Sequence, residues 1–405
     1  MIVAKFGGTS VQDAAAIQNV SSLVRRETRP TLVIVSACAG VTNSLLFAAT
    51  VASGGDRRRA LLELHALSDR HRGIARQLLP GGPAGALEQI DKDEETLQEL
   101  LKGLAALKEL TPRALDQCLT FGEQWSSLLL FGTLKAQGHD VGFLDVRDVM
   151  ITNADHTKAL PDLPLVEERS KEILAPLLNA HAIVVTQGFL GRTPDGNTTT
   201  IGRGGSDYTA AILGAALDAE EIQIWTDVDG ILTADPSVIP EARNIQTMTF
   251  SEASELAYFG AKVLHPSTIL PAISRNIPVR VLNSTRPDLQ GTLVTADDTG
   301  SQNGAVKSIA YKEGISVVTI QSTRMLMSYG FLATVFEVFA RYKKSVDVVA
   351  TSEVGVSLTV DNADLLENLV RELEGAAEVT VEHQRAVMCV VGEGIRRTQG
   401  VAAAL

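Results

Sequence analysis

The sequence predicts an α/β protein with a mainly parallel sheet, followed by a smaller unit in which strands and helices alternate differently. The main observation is a set of short, almost continuously apolar segments separated by helical stretches, which is typical of strands covered on both faces. These strand candidates are residues 2–6, 31–35, 182–186, 221–226 and 278–282. Four of them run directly into small or polar residues. Because ligands bind at the carboxyl ends of strands in open α/β sheets, we expect the four loops to share one crevice.

The composition is that of a globular protein of two or three domains. The chain has 405 residues, of which 45% are hydrophobic and 21% charged, and a single core rarely grows to that length. The formal net charge is −12 and the Lys and Arg residues are scattered, which argues against nucleic acid or an anionic membrane as a partner. No apolar run reaches the roughly 18 residues that span a bilayer.

The N-terminus lacks the basic and apolar regions of a signal peptide. Cys38, Cys118 and Cys389 are isolated and odd in number, so they predict neither a metal site nor a disulfide framework. Small buried thiols in a reducing compartment are the simpler interpretation. We therefore expect a cytoplasmic protein.

Residues 56–137 have the apolar spacing of helices, and we expect them to form a helical layer with a surface that faces a second subunit. A stretch rich in Asp, Thr and Gly at 287–303 is a candidate linker. Beyond it, strands are predicted at 315–320, 345–349, 354–360 and 378–382. Helices are predicted at 330–342 and after Asp361, which gives a βαββαβ unit.

A second copy of this unit begins at an offset of 70 residues. Val390 and Gly400 are separated like Ile320 and Gly330, and 387–391 is another apolar segment. The second copy reaches only Leu405, and a repeat that ends within a unit cannot close its own sheet. We therefore expect a partial second unit that is mobile at 392–405 or held by another chain.

The sequence Lys-Phe-Gly-Gly-Thr-Ser follows the first strand candidate. Its glycines, Gly7 and Gly8, allow backbone N–H groups to approach an oxyanion, and Lys5 reaches the same place as a point charge. Ser10 and Asp13 resemble a capping pair for a helix that begins at about Val11. The pattern alone is weak, because a plain tight turn explains it about as well as a phosphate site.

A second glycine-rich loop, at 202–205, precedes another predicted helix. Arg203 lies within it and can form two parallel bonds to a carboxylate or phosphate. Ser206 is the predicted N-cap. Asp207 lies in the first helical turn, where the helix dipole alone makes an acidic residue favourable. Alternatively, it orients Lys5 or holds a metal beside phosphates.

Three further sites carry weaker signals. Glu123 lies in an apolar helical region. It is either a solvated helix residue or the anionic partner of a substrate ammonium. The polar loop that begins at Thr226 and Asp227 suits a nucleotide, although a turn explains it too. Lys262 is flanked by apolar residues and is explained equally well by snorkelling, and His265 is interpreted as structural.

The chain resembles aspartokinases, members of the amino acid kinase superfamily, through seven motifs in the family's order: KFGGTS, SACAGVTN, LTFGEQWS, TQGFLG, TIGRGGSDYTA, WTDVDGILTADP and FGAKVLHP. The resemblance covers essentially the whole chain, and its tail is similar to paired ACT modules that sense amino acids. It implies a three-layer αβα catalytic domain at 1–295 and a ferredoxin-like ACT domain at 314–379. A partial second ACT domain is implied at 304–313 with 380–405.

The resemblance also implies the reaction. ATP would phosphorylate the β-carboxylate of L-aspartate to give 4-phospho-L-aspartate, with Mg²⁺, as the first step towards lysine, threonine and methionine. Phosphoryl transfer needs positioning and charge neutralisation more than a base, which agrees with the lack of a base-activating histidine.

At matched positions the family assigns catalysis to Lys5, Arg203 and Asp207. Aspartate is assigned to Thr42, Glu123, Arg203 and Ser206, with Arg203 on a carboxylate and Glu123 on the α-ammonium. The nucleotide is assigned to Lys5, Gly7, Gly8, Thr226, Asp227, Leu232, Lys262 and Val263. No protein ligand to a metal is assigned. Many relatives have Tyr where this chain has Leu232 and Arg where it has Ser237. Both positions belong to the nucleotide loop, so we do not expect aromatic stacking on adenine or the phosphate contact of that Arg in this chain.

The ACT region resembles the lysine-sensitive branch, which implies feedback control by lysine and a homodimer formed through the ACT units. Its effector pocket maps to Met325, Ser328, Phe331, Leu332, Ser345, Val346, Asp347, Thr351, Ser352 and Glu353. Because the second unit is partial, we expect lysine inhibition to be weak or absent in this form.

Two alternatives stay open. The chain could be another superfamily kinase that acts on glutamate, N-acetylglutamate or a nucleotide, but these lack the helical insert and the ACT tail. It could also be a catalytically silent amino-acid sensor, against which the intact set of Lys5, Arg203 and Asp207 argues.

Overall fold

The apolar segments predicted as strands come together in one sheet. In the computed structural model, which describes residues 1–79, 85–202, 204–259, 266–296, 305–322, 329–361, 366–375, 377–396 and 398–404, the chain divides into two units. The first unit comprises Met1–Tyr258 and Lys262–Gly304, and the second comprises Phe259–Ala261 and Ala305–Leu405.

The strands of the first unit, in chain order, are β1 (Ile2–Phe6), β2 (Thr31–Val35), β3 (Val141–Leu144), β4 (Ile183–Gln187), β5 (Leu190–Arg192), β6 (Thr198–Thr200), β7 (Glu221–Thr226), β8 (Thr247–Thr249), β9 (Val279–Asn283) and β10 (Thr292–Thr295). Eight of them form one sheet in the order β3-β4-β2-β1-β7-β9-β10-β8, and β5 and β6 form a separate hairpin. Every neighbouring pair from β3 to β9 is parallel, whereas β10 is antiparallel to β9. The predicted mainly parallel sheet is confirmed.

The helices of the first unit are α1 (Ala14–Arg26), α2 (Val41–Ser53), α3 (Arg57–Leu78), α4 (Ala86–Leu107), α5 (Pro112–Ala136), α6 (Leu163–Arg169), α7 (Ala175–Ala180), α8 (Gly205–Ala216), α9 (Phe250–Tyr258) and α10 (Pro266–Ser274). A strand presents successive side chains to opposite faces of its sheet. In β1, Ala4 and Phe6 belong to the buried cluster that includes Trp125 of α5. Val3 faces the other way, because a Cβ built on Gly214 of α8 would lie 3.6 Å from its Cγ2. Helices thus cover both faces, which confirms the three-layer αβα prediction.

Two predicted helix starts are wrong. The helix after the first glycine turn begins at Ala14 with Asp13 as its N-cap, because residues Gly8–Val11 form a 3-10 turn first. The Ser10 hydroxyl does not cap this helix and instead donates to Ser284 Oγ at 2.8 Å. The later helix begins at Gly205 rather than near Tyr208, and its N-cap is Gly204 in a left-handed conformation rather than Ser206. Glycine adopts that conformation without the penalty of a Cβ, so no side-chain cap is needed.

The second unit contains β11 (Ser308–Gln321), α11 (Phe331–Arg341), β12 (Val349–Thr351), β13 (Gly355–Val360), α12 (Leu366–Glu374), β14 (Glu378–Val391) and the short α13 (Val401–Ala404). Its antiparallel sheet has the order β12-β13-β11-β14, and the two longer helices share a core with it. The βαββαβ prediction is confirmed. The 70-residue repeat is also visible, because Gly330 and Gly400 are both left-handed and directly precede α11 and α13.

Two strand predictions in this unit need correction. The strand predicted at 345–349 begins only at Val349. Asp347 N–H and Val348 N–H both bond to the single residue Thr359, so the regular ladder is interrupted there. The separately predicted segments also merge, since β11 and β14 are each 14 residues long and pair along their length with a register shift after Lys312. The predicted boundary between 313 and 314 falls at this shift.

Candidate active site

A cavity of about 280 Å³ opens where the carboxyl end of β1 and the loops after β2 and β4 meet α5 and the start of α8. Its lining residues are Lys5, Ser36, Ala37, Thr42, Glu123, Phe189, Gly202, Gly204, Gly205, Ser206 and Asp207. Two of the four loops predicted to share one crevice, those after β2 and β4, line this cavity, whereas the loops after β1 and β7 do not. The cavity brings together five predicted residues from four separate parts of the sequence: Lys5, Thr42, Glu123, and the adjacent Ser206 and Asp207.

The loop after β1 is held tightly against its neighbours. Gly7 N–H donates to the Trp225 carbonyl of β7 at 2.9 Å, and Gly8 accepts from Ala39 N–H at 3.0 Å. A Cβ on Gly8 would lie only 2.7 Å from the Ala37 carbonyl oxygen, so the close approach requires glycine. The Gly7 N–H is consequently already bonded, and neither glycine lines the cavity, although a Cβ on Gly7 would be 3.7 Å from Lys5 Nζ.

Lys5 is the penultimate residue of β1 and lines the cavity. The residue is buried, and its Nζ lies 2.7 Å from Asp207 Oδ1 in the first turn of α8. At this distance the ammonium and the carboxylate pair directly, and an ammonium has three N–H donors. A buried lysine needs such a partner, and the arrangement leaves its N–H donors available to a ligand.

The loop before α8 is packed as closely as the first. Gly205 N–H donates to the Gly202 carbonyl at 3.0 Å, and Gly202 and Gly204 both have left-handed backbones. A Cβ on Gly188, at the end of β4, would lie 2.5 Å from Ser206 Cβ. These glycines bring Ser206 and Asp207 up to the sheet edge. Arg203, which lies between Gly202 and Gly204 in the sequence, is outside the described residues.

Glu123 is the most unusual group in the cavity. Its side chain is buried in α5; Oε1 accepts from Ala37 N–H at 3.1 Å, but Oε2 has no hydrogen-bond partner. Burial raises the pKa of this carboxyl to about 8, against the opposing effects of the Ala37 N–H and the Lys5 charge. An ionised carboxylate here requires a cation. The helix reaches this depth because Gly122 lies against the loop after β2, where its Cβ would be 2.8 Å from Ala37 Cβ.

Three further predicted nucleotide residues, Thr226, Asp227 and Leu232, lie at the end of β7 and in the loop after it. Thr226 ends β7, next to β1, and its hydroxyl donates to Asp227 Oδ1 at 3.2 Å. Leu232 forms an isolated bridge with Asn244. None of the three lines the cavity. Lys262 and Val263 lie outside the described residues, so their assignment stays a prediction.

In the second unit the predicted effector residues that the structure describes fall into three groups. Phe331 and Leu332 begin α11 and are half-buried, while Thr351, Ser352 and Glu353 are exposed at and after the end of β12. Ser345, Val346 and Asp347 lie in the segment before β12, where Asp347 Oδ2 is 3.2 Å from Lys312 Nζ. Lys312 also pairs with Asp361. Met325 and Ser328 lie outside the described residues.

Sequence reasoning missed three cavity residues, Ser36, Ala37 and Phe189. Their signal was position, since Ser36 and Ala37 follow the predicted strand 31–35 and Phe189 lies three residues after the predicted strand 182–186, but their side chains suggest no chemistry. It also missed Asp116, a fully buried carboxylate two turns before Glu123 in α5.

Within the described part of the chain, no group of three His, Cys, Asp or Glu side chains is placed to hold a metal. Mg²⁺ needs only one or two carboxylates when phosphates and water complete its shell, and Asp207 and Asp227 provide that donor type. No helix among these residues is long and apolar enough to cross a membrane.

Comparison with known proteins agrees with this geometry. The model of the Amino acid kinase family matches residues 1–283. Lysine-sensitive aspartokinase 3 of Escherichia coli K12 is 38% identical, over 99% of this chain and 89% of that protein. Aspartokinase 2, chloroplastic, of Arabidopsis thaliana is 40% identical, over 96% of this chain and 74% of that protein.

Two solved structures of E. coli aspartokinase III, each 38% identical, are also similar. The structure with aspartate and ADP, in the R-state, has a TM-score of 0.85 and covers 99% of this chain and 90% of that one. The structure with lysine and aspartate, in the T-state, has a TM-score of 0.79 and covers 97% and 87%. The chain belongs to the amino acid kinase family and, within that family, to the aspartokinases.

Proposed function

We propose that this protein is an aspartate kinase, which transfers the ATP γ-phosphate to the β-carboxylate of L-aspartate. The observation that carries the proposal is the buried, unpartnered Glu123 Oε2 in the same cavity as the Lys5–Asp207 pair. Aspartate supplies the missing cation through its α-ammonium. Its remaining charges are two carboxylates, of which one is held and the other reacts.

In this mechanism Arg203, Ser206 and Thr42 hold the α-carboxylate, and the β-carboxylate attacks the γ-phosphorus. A carboxylate is ionised at neutral pH, so the nucleophile needs no general base. The Lys5 ammonium neutralises charge on the transferring phosphoryl group, which is the main task of the protein in such reactions. Asp207 fixes the position of that ammonium.

The nucleotide lies along the ends of β1 and β7 in this proposal, with Gly7, Gly8, Thr226, Asp227, Leu232, Lys262 and Val263 as its contacts. Asp207 and Asp227 are the carboxylates that would hold a Mg²⁺ ion bound with ATP, and the ion would supply further charge neutralisation on the phosphates. Leu232 offers apolar contact to adenine rather than aromatic stacking.

We further propose that lysine regulates the enzyme through the second unit. Among the predicted effector residues, Asp347 and Glu353 are carboxylates suited to the ammonium groups of lysine. Phe331 and Leu332 are apolar and suited to its aliphatic chain. Homodimerisation through the same unit is supported by β12, an edge strand whose three residues are all exposed and which can pair with another chain. We place the enzyme in the cytoplasm.

The substrate assignment is tested by ATP-dependent ADP release with aspartate, succinate and glutamate. Succinate differs from aspartate only in lacking the ammonium, so it should need at least a tenfold higher concentration for half-maximal rate. Equal use of succinate would remove the role of Glu123. A catalytically silent sensor would release no ADP with any of the three.

A further inference from the structure

Helix α5 carries two buried carboxylates on one face. Asp116 and Glu123 are seven residues apart, about two helical turns, and both are buried. Glu123 has an oxygen without a partner. Asp116, in contrast, accepts hydrogen bonds from three different groups.

The three donors come from two segments that precede the glycine loop of the cavity. Thr157 N–H lies 3.1 Å from both Asp116 oxygens, and His156 Nδ1 lies 2.7 Å from Oδ2. The Thr200 hydroxyl donates to Oδ1 at 2.6 Å. A carboxylate is the side chain that can accept from all of them at once, since it has about four acceptor positions and no proton to turn towards a donor.

Asp116 also compensates a strained residue. Thr157 has a φ of +71°, a left-handed conformation that is unfavourable for a β-branched side chain and persists only where the surroundings impose it. The Thr157 N–H bonds to Asp116 are such a constraint. Close by in the chain, Ala159 N–H donates to the Thr200 carbonyl at 2.9 Å, which fastens the same segment to β6.

This fastened segment supports the cavity wall. A Cβ built on Gly202 would lie 3.4 Å from the Thr157 carbonyl oxygen and 3.6 Å from Lys158 Cα, and Gly202 lines the cavity together with Ser206. The Gly202 backbone thus lies next to Thr157 and Lys158 and follows Thr200, which Asp116 also holds, by two residues. Displacement of these contacts would therefore reach the start of α8, which carries Ser206 and Asp207.

We infer that Asp116 is a positioning residue for substrate binding, which holds the glycine loop at 202–205 at a fixed distance from Glu123 on the same helix. It touches neither substrate, and it acts through Thr157, Thr200 and Gly202. The expected effect on the KM for aspartate rests on the proposed function, whereas the expected effect on the position of the glycine loop does not.

Asp116→Asn tests the inference, because asparagine keeps the size but turns an N–H₂ group towards one of the donors. We expect at least a tenfold rise in the KM for aspartate with the KM for ATP within twofold of the parent value. Thr200→Val removes one donor and should give a smaller rise. In the double variant, Thr200→Val should cause no further rise in the KM for aspartate beyond that of Asp116→Asn, because both substitutions act on the same contact.

Asp93→Asn is the matched control, since Asp93 is a partly buried carboxylate of α4 that accepts from Trp125 Nε1 at 3.0 Å and does not line the cavity. It should leave both KM values unchanged. If Asp116→Asn fails to fold, the Thr200→Val variant still tests the inference. An unchanged KM for aspartate in folded Thr200→Val would overturn it.

Hydrogen exchange separates this inference from the proposed function. In Asp116→Asn, peptides that cover 153–160 and 198–202 should exchange at least tenfold faster, whereas peptides from α4 should not change. That result holds whatever substrate the enzyme uses. Unchanged exchange in both peptides, or an equal rise in both KM values, overturns the positioning role, while lack of aspartate turnover in the parent overturns only the proposed function.

Discussion

Lys5 and Glu123 line one cavity but differ in how their charges are satisfied. The Lys5 ammonium pairs with Asp207 at 2.7 Å, whereas one oxygen of Glu123 has no partner. A paired lysine with free N–H donors is suited to phosphate, which brings its own charge. An unpaired buried carboxylate is suited to a ligand that brings a cation. In the proposed mechanism, Lys5 therefore serves the transferring phosphate and Glu123 serves the amino acid.

Lys5→Ala should lower kcat by about 100-fold or more, because charge stabilisation at the transferring group is made mainly in the transition state. The fold should survive, since the partner Asp207 is partly exposed to solvent. Steady-state kinetics and circular dichroism measure the two effects. Lys171→Ala, which removes an exposed surface pair with Glu167, is the control and should have no effect; near-parental kcat in Lys5→Ala would show that the phosphate site is elsewhere.

Glu123→Gln should raise the KM for aspartate at least tenfold while the KM for ATP stays within twofold, because the ammonium contact is made in the ground state and the transition state alike. The pH dependence follows from the raised pKa of about 8. Below that pH the free enzyme holds Glu123 neutral, and only the ionised form binds an ammonium.

In the parent enzyme, kcat/KM for aspartate should therefore fall about tenfold per pH unit below 8 and level off above it. Glu123→Gln should lack this slope. A pH profile that is identical in the two proteins would mean that another group controls aspartate binding. The variant should also be at least as stable as the parent at pH 9, where the parent must ionise a buried carboxyl.

At the scale of elements, close packing of α5 against the loop after β2 sets the depth of Glu123. Gly122→Ala would place a methyl group 2.8 Å from Ala37 Cβ, so the helix or the loop must move. We expect destabilisation by about 1–3 kcal/mol together with a raised KM for aspartate, because the Ala37 N–H bond to Glu123 is lost.

Gly103→Ala is the matched control, since Gly103 also lies within a helix but no atom lies within 4 Å of the position that its Cβ would occupy. It should stabilise the protein by about 1 kcal/mol through helix propensity and leave the kinetics unchanged. Thermal unfolding and steady-state assays compare the two variants. Equal effects of the two substitutions would contradict a special role for the α5 packing.

The elements with strong local signals were predictable, and the contacts between them were not. β1, β2 and β4 were recognised because strands buried on both faces are almost wholly apolar. The Asp116 contacts could not be predicted, because they join residues of α5 to a loop and a hairpin that carry no pattern of their own. The start of α1 was missed for a local reason: a 3-10 turn occupies residues Gly8–Val11, and its sequence is compatible with an α-helix.

The same division applies to the candidate site. Lys5, Asp207 and Glu123 were identified by motif, but no local pattern indicates that Glu123 lacks one hydrogen bond or that Lys5 pairs with Asp207. The bond from Ala37 to Glu123 joins residues that are 86 positions apart in the chain, and the Lys5–Asp207 pair joins the first strand to α8. Long-range packing decides both contacts.

At the scale of the whole molecule, the chain combines a catalytic unit with a smaller unit of the ferredoxin-like pattern. We expect calorimetric titration to detect lysine binding to the parent, and Asp347→Asn to weaken it at least tenfold, because a carboxylate that meets an ammonium would be lost. Glu367→Gln, at an exposed position of α12, should bind like the parent. Parental affinity in Asp347→Asn would remove Asp347 from the effector site.

The central claim is that the chain makes an acyl phosphate from aspartate and ATP, and trapping with hydroxylamine tests it most directly. Hydroxylamine attacks the acyl carbon, releases phosphate and leaves a stable hydroxamate. With ATP, Mg²⁺ and aspartate, the parent should form aspartyl β-hydroxamate, Lys5→Ala should form at least 100-fold less, and glutamate should not replace aspartate. No hydroxamate from aspartate, or an equal yield from glutamate, would contradict the assignment.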